Sequence, residues 1–177
     1  IEIYVITKGD ILRKTKIVRS KKLTIIYLGA PKILNGITLH HNLVRMAKKI
    51  LKEIKPDVVH GIGIEHIWAY TAISSKLPSV ITVHGIPSQI TKKLNSPLFS
   101  RIRYFSNLEK KVLGKTKNFI SISPYVEKCL GPSINARIYS IENPVSNLYH
   151  DIQAKPDKRN VILFVGGTKS SNAKVLF

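Results

Sequence analysis

The sequence predicts an α/β fold built on a parallel sheet, and two observations carry that expectation. Apolar runs of strand length recur along the chain, and between them the apolar residues repeat at helical spacing. Strands that alternate with helices in this way pair in parallel, with helices covering both sheet faces.

Each element follows in order. "IEIYVIT" at the start and "KLTIIYLGAP" are apolar strands, the second stopped by Gly29 and Pro31, and "KGDILRKTKIVRSK" between them reads as a polar connection. From Asn35 to Ile54, residues Leu39, Leu43, Met46, Ala47, Ile50, Leu51 and Ile54 form an apolar stripe, with Arg45, Lys48, Lys49 and Lys52 largely off it. That is an amphipathic helix. "KPDVVHGIG" supplies a short buried strand, "IEHIWAYTAISSKL" a helix and "PSVITVHG" the next strand. Farther on, "SPLFSRIRYFSNLEKKVLGK" has helical spacing through Leu98, Ile102, Phe105, Leu108 and Val112, and Lys110, Lys111 and Lys115 suit its carboxyl end. "NFISIS" is a strand, Ser123-Pro124 opens a helix with a capping serine and a first-turn proline, and "ARIYSIENP" is a last strand stopped by Pro144.

Composition sets the outer bounds. With 177 residues and 44% hydrophobic content the chain holds one domain, or one domain and part of a second, with a sizeable core. No apolar run reaches the ~18 residues that span a bilayer, and the first residues lack a signal-peptide pattern, so a soluble protein is expected. The single Cys129 excludes an internal disulfide and a cysteine metal site, and it fits a reducing compartment.

Charge is the unusual property: 29 Lys and Arg stand against 10 Asp and Glu, a net charge of +19. Between Asp10 and Glu53 there is no acidic residue, while Arg13, Lys14, Lys16, Arg19, Lys21, Lys22 and Lys32 are among the basic ones. An anionic partner is expected, and an anionic membrane surface and a nucleic acid are the two candidates. The segment that places Phe99, Tyr104 and Phe105 among Lys92, Lys93, Arg101 and Arg103 is the one expected to touch a membrane; its plainer reading is a core helix with a basic outer face.

Ligands of parallel sheets bind at the carboxyl ends of the strands. There the sequence sets His84-Gly85 after "SVITV" and His60-Gly61 after "PDVV", and the two pairs are expected on one rim. Glycine at such an edge admits a close approach by substrate or a positive φ. A turn without a ligand is the plainer reading of either pair taken alone. Other chemistries lack their signatures: there is no G-x-S-x-G elbow, no Walker-type lysine loop and no complete dinucleotide fingerprint. His40 and His41 are adjacent on a helix and point in different directions, which suits no metal site. Glu65, opening the second helix, reads as a favourable charge at a helix start.

Taken together, "KPDVVHGIG", "LPSVITVHGIP", "NLEKKVLGKTKNFISISPYVEKCL", "IYSIENPVSNLYH" and "NVILFVGGTKSSNAKVLF" occur in the order found in family 4 (group 1) glycosyltransferases. The chain resembles the amino-terminal half of such an enzyme. The resemblance implies a Rossmann-like parallel sheet, the first half of a GT-B two-domain architecture truncated at both ends. Residues 1–150 would be the acceptor-side domain without its usual first strand, 151–159 a linker, and 160–177 the first strand and glycine turn of the donor-binding domain. It implies a retaining transfer of a sugar from a nucleotide-sugar donor to a glycan or lipid-linked acceptor, with no metal or other cofactor. A chain without most of the donor domain is expected to be inactive by itself.

By position, His84 matches the family's cleft histidine, and Gly85, His60, Gly61 and Asn143 are the expected substrate-side residues. Gly166, Gly167 and Lys169 are the expected contacts of the donor diphosphate, with Lys174 the alternative to Lys169. Here the sequence departs from the common pattern, because Gly167 and Asn172 stand where many relatives carry Arg and Lys. The resemblance also implies a cytoplasmic protein, peripheral to the inner face of a membrane. A nucleotide-sugar epimerase of the same fold, a non-catalytic remnant and a basic nucleic-acid-binding domain are the alternatives; the last has no recognition motif in its favour.

Overall fold

A computed structural model describes residues 1–9, 14–29, 36–98, 100–131 and 134–151, with the side chains of 36–39 left out. The chain divides into two units after Asn143. In the first unit the described elements are β1 (Ile3–Lys8), β2 (Lys16–Ser20), β3 (Leu23–Leu28), α1 (Gly36–Ile54), β4 (Val59–Ile62), α2 (Ile67–Ser74), β5 (Ser79–Val83), α3 (Pro87–Lys93), α4 (Arg101–Leu113), β6 (Asn118–Ser121), α5 (Pro124–Leu130) and β7 (Arg137–Ser140). Of the second unit, residues 144–151 are described, with one 3-10 turn at Asn147–Tyr149. The expected linker and the "VILFVGG" strand lie outside the described residues, as do Phe99, Gly166, Gly167, Lys169 and Lys174.

The expected α/β architecture is present. A four-stranded sheet runs β4-β5-β6-β7 with every pair parallel. The surrounding helices make this a Rossmann-like α/β unit. A second sheet, in the order β1-β3-β2, pairs β1 with β3 in parallel and β2 with β3 antiparallel. β1 and β4 are edge strands of their sheets, and they border a cavity of about 320 Å³ floored by Ala47 and Leu51 of α1 and by Trp68 and Thr71 of α2.

β2 corrects the expectation of a polar connection between the first two strands. All five of its residues are exposed, and it forms a hairpin with β3 through Lys21 (φ 44°). Its lysine and arginine content suits an outer strand, where charge discourages pairing with another chain.

Two apolar clusters hold the unit together. Ile64, Ile81, Val83, Val112, Phe119 and Leu130 belong to one, around the parallel sheet. Ile26, Leu28, Leu43, Ala47, Ile67, Phe105 and Leu108 form the other, where α1 and α4 meet the first sheet. Phe105 is 3% exposed, so it is a core residue and has no surface to offer a membrane.

The helix starts follow the capping rules. Ser123 Oγ accepts the Val126 N–H at 3.3 Å, with Pro124 in the first turn. Ser100 Oγ accepts the Arg103 N–H at 3.4 Å ahead of α4.

Candidate active site at the carboxyl edge of the parallel sheet

The register of β4 on β5 decides what reaches the edge. His60 pairs with Val80, Gly61 with Ile81 and Ile62 with Thr82, so His60-Gly61 lies inside β4 instead of ending it. The expectation of two His-Gly pairs on one rim is therefore corrected. A Cβ on Gly61 would lie 2.7 Å from Ile81 Cδ1 and 2.9 Å from Ala69 Cα. Gly61 is buried, and its missing side chain lets α2 seat closely on the sheet.

Side chains alternate across a strand, so His60 and Thr82 lie on the face opposite α2. There His60 Nε2 and Thr82 Oγ1 are hydrogen-bonded at 2.6 Å. Burial pushes the His60 imidazole below the usual histidine range, and the neighbouring His84 adds to the shift. The two histidines thus meet electrostatically, although only His84 stands past its strand end, exposed.

Gly63 follows β4 at the same edge of the sheet. Its N–H donates to the Thr82 carbonyl at 2.9 Å, which carries the β4-β5 pairing one step farther. Its φ is +80°, a conformation that glycine adopts without strain. The turn folds Glu65 back over it: a Cβ on Gly63 would lie 2.7 Å from Glu65 Oε1, and one on Gly85 would lie 4.0 Å from Glu65 Oε2. The carboxylate therefore sits between the two glycines. Its Oε2 is buried and accepts no hydrogen bond from the described residues. A carboxyl oxygen shielded from water and given no donor is costly by itself, and a ligand bearing hydroxyl groups would satisfy it.

The loop that carries His84 is held from below. Ser88, in the first turn of α3, donates its N–H to Glu109 Oε2 and its hydroxyl to Glu109 Oε1, both at 2.7 Å. Glu109 is 2% exposed and comes from the buried face of α4. This charge-assisted pair fixes the start of α3 and with it the His84-Gly85-Ile86-Pro87 turn. Sequence reading passed over Glu109, yet a signal exists: it falls on the apolar stripe with Phe105, Leu108 and Val112, where an acid needs a partner. Glu65 was read as a helix-start charge, and the positive φ of Gly63 that redirects it leaves no mark in residue identity alone.

Asn143 is exposed, at the end of the first unit. Among the described residues no group of three or more His, Cys, Asp or Glu side chains is placed to hold a metal ion. No described helix is long and apolar enough to cross a membrane.

A Rossmann-like parallel sheet whose carboxyl edge carries an exposed histidine, two glycines and a carboxylate has the form of an α/β domain whose ligand edge lies at its strand ends. The profile of Glycosyltransferase Family 4 matches residues 2–146, and the chain belongs to that family. Family membership supports glycosyltransferase activity, with a sugar donor and an acceptor as its substrates. No curated protein sequence matches the chain.

Proposed function

We propose that the protein is a retaining glycosyltransferase that moves a sugar from a nucleotide-sugar donor to a glycan or lipid-linked acceptor, and that the His84-Glu65 rim belongs to its substrate cleft. The observation that carries this reading is the Glu65 carboxylate, seated between Gly63 and Gly85 with a buried oxygen that no donor among the described residues reaches, in a chain of this family. Sugar hydroxyls are the donors it lacks. In the transfer, the bond from the anomeric carbon to the diphosphate breaks and the acceptor oxygen takes its place on the same face of the ring. The acceptor proton leaves with the diphosphate.

Positive charge develops on the sugar as the bond breaks, and a fixed carboxylate and a strand-end carbonyl stabilise it. His84 is the residue assigned to contact the transferred sugar, through its ring as a hydrogen-bonding group and through its carbonyl oxygen. Gly85 leaves room beside it, His60 supports the rim through Thr82, and Asn143 shapes the passage to the next domain. In this proposal Gly166, Gly167 and Lys169 face the donor diphosphate, and basic groups and helix starts neutralise it without a metal.

Association with the inner face of a membrane forms part of the proposal. Ile90, Leu94 and Leu98 are exposed, Leu94 and Leu98 by 69% and 74%, beside Lys92 and Lys93. Apolar side chains flanked by lysines suit an anionic lipid surface. The test is transfer from labelled UDP- and GDP-sugars to a membrane lipid extract by the protein together with its donor-binding domain, without which no transfer is expected. A labelled lipid or glycan product supports the reading, and no product with any donor overturns it.

A further inference from the structure

A groove of about 490 Å³ runs between the β2-β3 hairpin and α1, and nothing in the proposed transfer uses it. Register decides its sheet wall: Ile17 of β2 pairs with Ile26 of β3 and Arg19 with Thr24, so these four side chains share one face. The helix wall is Met46, Ile50 and Ile54, which repeat every four residues along one side of α1. Ile26 is buried, whereas Ile17 on the outer strand is 46% exposed. The groove is thus apolar, and water reaches it.

The neighbouring side of α1 is basic. His41, Val44, Arg45, Lys48, Lys49 and Lys52 line a second depression, of about 470 Å³. Four of the six are cations, and no carboxylate is among them. Arg45, Lys48 and Lys52 recur at spacings of three and four residues, so they form one row that extends about 10 Å along the helix. Lys49 borders both the depression and the groove. Arg19 adds a cation from the sheet wall, and Glu53 is the one acid among the described residues that line either cavity.

The two halves call for different chemistry. A soluble anion would offset the lysines and leave the groove wet, while an apolar molecule would fill the groove and leave like charges to repel one another. An amphiphile with an anionic head answers both. We infer that this surface binds one anionic phospholipid, with an acyl chain in the groove and the phosphate against Arg45, Lys48, Lys49 and Lys52. A flexible chain follows a groove between strand and helix, and Arg45 offers the phosphate a fork of N–H donors. Basic groups beside an apolar surface are the setting in which lipid headgroups are held. The surface is separate from the Leu94-Leu98 tip, and the inference does not rest on the glycosyltransferase reading.

Met46 is the only methionine of the 177 residues, and its methyl group reports on the groove. The native protein is labelled with carbon-13 at its methionine methyls, the Met46 signal is assigned with Met46→Leu, and dihexanoyl phosphatidylglycerol is added below its micelle concentration. A saturable shift of that signal, weakened at least about tenfold in the double variant Arg45→Gln/Lys52→Gln, supports the site. Both side chains are exposed, so their substitution leaves the core intact, and circular dichroism verifies this. The control is Lys115→Gln/Lys117→Gln, exposed residues after α4 whose loss removes the same charge; it should bind like the unaltered protein. Dihexanoyl phosphatidylcholine has the chains without the net charge, glycerol 3-phosphate has the charge without the chains, and neither should give a saturable shift. An equal shift with either of those probes, an equal loss in the lysine control, or no shift with phosphatidylglycerol overturns the inference. The last result would leave the groove to a protein partner. No sugar donor is present, so the outcome is independent of transfer activity.

Discussion

A Cβ on Gly63 would lie 2.7 Å from Oε1 of Glu65, so the carboxylate occupies the space that any other residue at position 63 would need. The contact joins a backbone conformation to a chemical group. Gly63→Ala pays for both a positive φ and a displaced Glu65, with an expected loss of about 1–3 kcal/mol in stability. Thermal unfolding checks the stability term, at roughly 2–4 °C for each kcal/mol in a protein of this size. Transfer activity should fall more than stability predicts, because the carboxylate is moved off the rim.

Glu109 and Ser88 make a second testable pair. Removing the buried carboxylate in Glu109→Ala strands the Ser88 hydroxyl and the Ser88 amide, at a cost of about 2–3 kcal/mol. Ser88→Ala removes one of the two bonds and should cost less, about 1 kcal/mol. Urea unfolding of both variants measures the difference. Equal and negligible effects would mean that the pair does not anchor the His84 turn.

How much of this was legible in the sequence depends on what kind of signal each feature leaves. Helices α1 and α4 and strands β3, β5 and β6 were legible because their apolar residues repeat against a continuous core. β2 was not, since "KIVRS" is exposed along its whole length and its pairing comes from β3 alone. The short helix α3 was also missed; its start is secured by Glu109, a residue distant in sequence. At the site, His84 was found from its position after a strand, whereas the offset of His60-Gly61 is a matter of register, which residue identity does not encode. Helices α1 and α2 are followed by Lys55 and Lys76 at positive φ, where a glycine rule finds no stop signal.

Acid should weaken the fold through His40 and His60. Both imidazoles are depressed below the ordinary histidine value in the folded state, mainly by burial, so the unfolded chain binds protons more readily. Stability is then complete above about pH 6.5 and declines as the pH falls below it. Thermal unfolding across this window should show a falling midpoint, with a shallower decline in His60→Gln. A flat profile would place both rings in water.

Membrane attachment should depend on the apolar tip beside the lysines. Leu94→Asp and Leu98→Asp change exposed side chains and leave the core alone. Sedimentation with anionic vesicles should drop several-fold in either variant, with wild-type thermal stability. Unchanged sedimentation would assign the membrane attraction to the basic surface as a whole.

The account centres on the rim of His84 and Glu65 as the place where sugar is held. Its most direct test is the rate of sugar transfer by the protein together with its donor-binding domain beside its Glu65→Gln and His84→Ala variants, with folding verified by circular dichroism. The account predicts a fall in kcat/KM of at least about tenfold in each, the size expected from losing one hydrogen bond to a charged or strongly polar group. Transfer at the wild-type rate in both variants would contradict it.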